Sequence, residues 1–130
     1  MVNFFAKYKL IFYITNFSLI FLYLFPASFF GCIFYDDCNL QPKLTVDFLN
    51  VSSNHFYSFF VISVIGHLSF LKSKKINFLV LYLIFLAIFL ETLHLIVPNR
   101  SFQWSDLIGN LIGVVIVILI YSFINKYEQF

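Results

Sequence analysis

Between residues 91 and 110 the chain carries Glu91, His94, Arg100, Asp106 and Asn110. These supply two carboxylates, an imidazole, a guanidinium and an amide. Such a set can do two kinds of chemistry. Glu91 or His94 can act as acid or base, or Arg100 can hold an anion while Asp106 and Asn110 orient it. Long apolar runs flank the stretch on both sides, which places these groups in or beside a membrane. An ionisable side chain at membrane depth costs roughly 2.5–3.5 kcal/mol on insertion scales, and such residues usually persist because they function.

The composition points the same way. Soluble proteins are about 45–50% apolar and about 25% charged. This chain of 130 residues is 62% apolar and 11% charged, with 20 phenylalanines. A water-soluble fold of this size cannot hide that much apolar surface, so the solvent is lipid. The net charge of +2 is too small to argue for nucleic acid, and the lysines are scattered between apolar runs.

Four apolar segments must position the polar groups, which gives an all-α bundle of four transmembrane helices in one domain over residues 1–130. The basic leader ends at Lys9, and the first span covers about residues 10–34, with Pro26 bending its outer part and Tyr23 and Tyr35 at interfaces. It is too long for a signal peptide and lacks a small-residue cleavage site, so a retained helix is expected. An Asp-rich connection follows. Ser52, Ser53 and Asn54 are good N-caps for a second helix over 55–71. The third span, 76–97, ends at Pro98-Asn99, because proline pushes the preceding residue out of helix and Asn tolerates tight turns. The fourth, 106–125, is capped by Ser105 or Asp106.

Lys7, Lys9, Lys72, Lys74, Lys75 and Lys126 fall on one side of this arrangement, and only Lys43 and Arg100 on the other. Both termini are therefore expected to be cytoplasmic. Cys32 and Cys38 lie near the outer end of the first span. A bridge is permitted there if that space is oxidising, and a buried free cysteine is the ordinary alternative.

Helical spacing then groups the polar residues. Asp106, Asn110, Gly113 and Val117 share one stripe of the fourth helix, with Asn110 roughly 6 Å deeper than Asp106. Gly109 and Gly113 form a GxxxG that lets another helix approach closely. Glu91 and His94, three apart, face one side of the third helix. The turn between the third and fourth helices is short, which makes them antiparallel neighbours with polar stripes at similar depth. His55, at the outer end of the second helix, can join them. Each residue also has a purely structural role open to it: Asp106 as a cap, Asn110 and Glu91 as packing contacts, His94 as the partner of Glu91, Arg100 and His55 as interface residues. His67 falls near the cytoplasmic lysines and is left out.

Several chemistries find no support. HExxH is absent and the spacing matches no metal motif, so no metal is expected. GxSxG is absent too, and no Ser-His-Asp order is compelling. Four short spans leave little room for a transporter built from paired inverted repeats. No cofactor is implied.

The run Glu91-x-x-His94-x-x-x-Pro98-Asn99-Arg100, then Asp106-x-x-x-Asn110-x-x-Gly113, resembles the VanZ-like membrane proteins, whose pattern is approximately E-x-x-Q-x-x-x-P-G-R, then D-x-x-x-N-x-x-G-x-x-x-G. His55-Phe56 resembles that family's H-F element. His94 replaces the usual Gln, Asn99 the usual Gly, and Val117 the last Gly. The Asp-Lys that commonly precedes the histidine is absent. The match covers about residues 54–117. It implies a small multi-pass protein of the bacterial cytoplasmic membrane, similar to a founding member associated with teicoplanin resistance.

Two functions of different class follow as expectations. The first is a non-enzymatic cell-envelope protein whose outward-facing site, Arg100, Asp106, Asn110 and His55, binds an anionic or lipid-linked headgroup. The second is an intramembrane enzyme acting on envelope lipid or glycan precursors through Glu91 and His94. Membrane lipids and lipid-linked envelope precursors are the expected partners, with no nucleic acid.

Overall fold

The computed structural model describes residues 2–128, with side chains from 7 to 127. Met1, the start of the expected leader, lies outside the described residues. Five helices follow in order: α1 (Val2–Leu24), α2 (Phe29–Tyr35), α3 (Ser53–Ser69), α4 (Ile76–Leu93) and α5 (Trp104–Glu128). Among the described residues there is no strand, only one isolated bridge between Phe48 and Val51.

Two boundaries differ from the sequence expectation in ways that matter. The segment expected as one span over 10–34 is broken. α1 is already helical at Val2, because nothing in the lysine-bearing leader disfavours helix, and it stops at Leu24. Pro26 cannot donate a backbone hydrogen bond and restricts Phe25 before it. Ala27 then takes a left-handed conformation with φ 66°. Ser28 caps the next helix by accepting from the Gly31 amide at 3.0 Å. α2 leaves at 83° to α1.

The third span is shorter than the expected 76–97. His94, Leu95 and Ile96 donate to the carbonyls of Glu91, Thr92 and Leu93, three residues back, so the last turn tightens. Asn99 then turns the chain at φ 57°. Asn is one of the few residues that tolerate this region, which explains how it stands where the family-like pattern has Gly.

α3 begins at Ser53, two residues before the expected start, and its cap is not local. Ser52 makes no side-chain cap bond. Asp47 reaches over from the preceding loop and accepts from the Ser53 amide at 3.1 Å. Lys43 bonds the same carboxylate and holds it below the usual aspartate range. Asn54 pins the loop by donating to the Pro42 carbonyl at 2.7 Å. Cys32 and Cys38 are joined as a disulfide, which fastens α2 to this loop.

α1 and α4 run one way, α3 and α5 the other. Ser69 near the end of α3 donates to the Tyr8 carbonyl near the start of α1, at 2.8 Å. His67 and Tyr121 meet near the ends of α3 and α5, ring centres 5.0 Å apart. The closest seam is α3 on α5, where a Cβ added to Gly113 would sit 2.7 Å from the Phe56 carbonyl oxygen. Phe12, Leu19, Phe59, Ile62, Leu83, Leu86 and Val114 fill the interior.

Around this core the outward faces are apolar. Phe17, Phe78, Leu81 and Leu119 are each more than 60% exposed. In water such a surface would be an aggregation site; in lipid it is the solvated face. α4 and α5 are each long and apolar enough to cross a membrane, and α1 with α2 makes a third span if the bent pair is one.

Candidate functional site

The Pro26 break has a consequence at the end of α1. A helix terminus leaves its last carbonyls without partners inside the helix. Here they are taken by two side chains from the α4–α5 connection. Arg100 donates from Nη2 to the Leu22 carbonyl and from Nε to the Phe25 carbonyl, both at 3.3 Å. His94 donates from Nε2 to the Tyr23 carbonyl at 2.9 Å.

Arg100 was expected to be oriented by Asp106 and Asn110. Those two instead face His55, and Arg100 is held by α1 and by Gln41, whose Oε1 accepts from Nη1 at 3.3 Å. The physical reason is supply: a broken helix presents oriented carbonyls, and a guanidinium fork fits them. Three of its five N–H groups are used, leaving one on each terminal nitrogen. Burial lowers its pKa, but a guanidinium that starts above about 12 stays charged.

Four helices meet just beneath. Tyr23 of α1, His55 of α3, Glu91 of α4 and Asn110 of α5 are all buried, and Asn110 and Glu91 are fully so. Asn110 Nδ2 donates to the Ala87 carbonyl at 3.1 Å, which fixes the amide so that Oδ1 is the acceptor. Tyr23 donates its hydroxyl to Oδ1 at 2.7 Å. His55 Nδ1 lies 3.1 Å from the same oxygen and 2.9 Å from the Tyr23 hydroxyl. An amide oxygen cannot donate, so Nδ1 of His55 carries the proton and Nε2 is left to face elsewhere. It faces Asp106 Oδ2 at 3.4 Å.

Glu91 completes the group. Its Oε1 accepts from the Gln103 amide at 2.9 Å. Its Oε2 lies 3.2 Å from His94 Nδ1 and 3.9 Å from His55 Nδ1. These are ion-pair distances, but neither approach has hydrogen-bond geometry, and this buried oxygen has no hydrogen-bond partner among the described residues. His94 stacks on Tyr23 with ring planes 15° apart.

Glu91, His94, His55, Asp106 and Asn110 are thus brought together. Arg100 stands to one side but lines the same cavity of about 140 Å³ as His94, Gln103 and Asp106. A larger cavity of about 550 Å³ adjoins it, walled by Leu22, Phe29, Phe30, Phe34 and Tyr35. Ser28, Gln41, His94 and Arg100 line both. Gly109 and Gly113 bring α5 against α3, and Pro98 is an exposed turn residue. His67 is buried near the far end of α3, donating from Nδ1 to the Ser63 carbonyl at 2.8 Å.

Sequence reasoning missed Tyr23, expected at an interface and found at the centre. Its only signal was position: three residues before Pro26, on the last turn before the break.

A family model for VanZ/LLP1 matches residues 3–125. The chain belongs to the VanZ/LLP1 family. The match runs well beyond the polar stretch that suggested it and takes in α1, α2 and the disulfide loop. With its apolar helices, this makes the chain a membrane protein of the VanZ type. Neither a curated protein nor a solved structure matches the chain.

Proposed function

We propose that this VanZ-type protein crosses a bacterial cytoplasmic membrane four times with both termini inside, and binds an anionic, lipid-linked headgroup of the cell envelope from the outer side. At 1.5 Å per residue α3 is roughly 26 Å long, a little under the roughly 30 Å of hydrocarbon. It packs against both α1 and α5, which supports counting it as a span. The lysine bias puts the α3–α4 turn inside. The Cys32–Cys38 bridge supports an oxidising, external location for the opposite end. Reporter fusions after Lys75 and after Lys126 are expected to read cytoplasmic, and one near Lys43 external. An external signal after Lys75 would overturn the arrangement.

The observation that carries the binding reading is the pair of adjoining cavities that meet at Arg100. One is polar and the other is walled by aromatic and aliphatic side chains. An anionic amphiphile fits both at once, with its phosphate or carboxylate on the two free N–H groups of Arg100 and its chain along α2. Charge-assisted hydrogen bonds contribute about 1.5–3 kcal/mol each. Arg100→Ala is therefore expected to weaken binding of a labelled, phosphate-bearing lipid to the purified protein at least tenfold. Arg100→Lys, which keeps the charge but not the fork, is expected to fall between. Equal binding by wild type and Arg100→Ala sinks the reading.

The contact between Glu91 Oε2 and His94 Nδ1 favours a second reading, an intramembrane enzyme using this pair as acid and base. In the same assay, turnover of the lipid that collapses in Glu91→Gln would move the protein to that class.

A further inference from the structure

We propose that His55, Glu91 and Asp106 form a binding site for one divalent transition-metal ion, of which Zn²⁺ is the probe of choice. Each residue offers one ligand atom, and the three atoms lie within 4.8 Å of one another although they come from α3, α4 and α5. His55 Nε2 and Asp106 Oδ2 are 3.4 Å apart. That is the edge of a tetrahedron whose metal–ligand bonds are about 2.1 Å, the usual length for zinc with imidazole and carboxylate.

Two further observations point to a cation, independently of the clustering. The first is Glu91 Oε2. It is fully buried, lies near both imidazoles, and has no hydrogen-bond partner among the described residues. A buried carboxylate oxygen left bare is costly, and a metal bond would satisfy it.

The second is the placement of the second imidazole nitrogens. Asn110 requires the proton of His55 on Nδ1, and the Tyr23 carbonyl requires that of His94 on Nε2. The remaining nitrogens, Nε2 of His55 and Nδ1 of His94, lie 3.4 Å and 3.2 Å from carboxylate oxygens of Asp106 and Glu91. An imidazole nitrogen without a proton, held that close to a carboxylate, repels it unless positive charge, a proton or a metal ion, lies beside both. Two carboxylates ask for two such charges, and one divalent ion supplies both.

The surroundings fit a metal centre as well. A metal-bound histidine ordinarily donates its other N–H to an oxygen acceptor that fixes the ring, and His55 Nδ1–H does so to Asn110. Gln103 holds the second oxygen of Glu91 in the same way. The 140 Å³ cavity reaches Asp106 and His94 and leaves an open side for water, for His94 Nδ1 or for an anion. The ligand set of one nitrogen and two oxygens contains no thiolate, which favours zinc or a harder first-row ion over copper(I). Sequence spacing hid the site because its ligands lie 36 and 15 positions apart, on three helices.

This inference goes beyond the lipid reading and does not depend on it, since the experiment uses the metal alone. Full-length protein in detergent is stripped with chelator, reloaded with Zn²⁺, desalted and assayed for metal by mass spectrometry. One equivalent per chain is expected, with a rise in thermal stability on loading. His55→Gln and Asp106→Asn are expected to lose more than about 100-fold in Zn²⁺ affinity, beyond the 10–100-fold typical of an outer-shell change. His67→Gln, at a histidine remote from the cluster, is expected to bind as wild type does. If either ligand variant fails to fold, X-ray absorption of the loaded wild type decides, with one imidazole and oxygen ligands expected. Wild type that retains no zinc overturns the proposal. So does zinc that stays bound with wild-type affinity in both ligand variants.

Discussion

Replacing Asn110 with leucine is expected to cost more stability than any other single polar change in the chain. The amide has no exposed surface and serves three partners at once: the Tyr23 hydroxyl, the Nδ1–H of His55 and the Ala87 carbonyl. Leucine supplies none of these bonds: the Tyr23 hydroxyl and His55 Nδ1 keep only each other, and the Ala87 carbonyl only its helical partner. Each lost bond costs about 0.5–1.5 kcal/mol in a protein interior. Membrane proteins fall toward the lower end, because the unfolded chain in lipid also finds partners. A total of about 2 kcal/mol is expected, seen as a marked loss of thermal stability in detergent. Tyr23→Phe removes one hydroxyl and nothing else, so about 1 kcal/mol is expected. If Asn110→Leu melts where wild type does, the four helices are not held together by this network.

Gly113→Leu is expected to separate α3 from α5. A Cβ at Gly113 would meet the Phe56 carbonyl oxygen at 2.7 Å, the Phe60 amide nitrogen at 2.8 Å and the Phe59 carbonyl carbon at 3.2 Å. All three are backbone atoms of α3, so no rotamer change relieves the clash and the helices themselves must move. Overpacking ordinarily costs about 1–3 kcal/mol, and a clash against backbone is expected to reach or exceed the top of that range. Gly66 is the natural control. The nearest atoms to a Cβ there are side-chain ends of Phe12 and Leu79, at 3.1–3.3 Å, and these can shift. Gly66→Ala should therefore be tolerated, while Gly113→Leu should yield little folded protein after detergent extraction. Equal yields and melting points for the two would show that the α3–α5 seam is not close-packed.

The different fates of these glycines and of the polar residues show how far the linear pattern reaches. The stripe Asp106, Asn110, Gly113 was legible because one helix carries it, and helical period puts residues 4 and 3 apart on one face. Glu91 and His94 were legible for a related reason: their helix and α5 are joined by a short connection and must be neighbours. The apolar runs alone determined that the chain is helical and that its solvent is lipid, since composition and run length depend on no tertiary detail.

Arg100 marks where that reach ended. Its neighbours in sequence suggested Asp106 as its partner, yet it bonds carbonyls from Leu22 and Phe25, more than 70 positions away. No spacing rule predicts a partner that is a backbone atom, because every residue has a carbonyl and only a helix break sets one free. Tyr23 was misplaced on the same account. An apolar helix without a polar stripe does not reveal which of its faces meets its neighbours. Cys32 and Cys38 could be free or joined until α2 turned aside at Pro26 and set them against each other. The direction of that turn, and with it the way four helix ends close over one buried carboxylate, was decided only by packing.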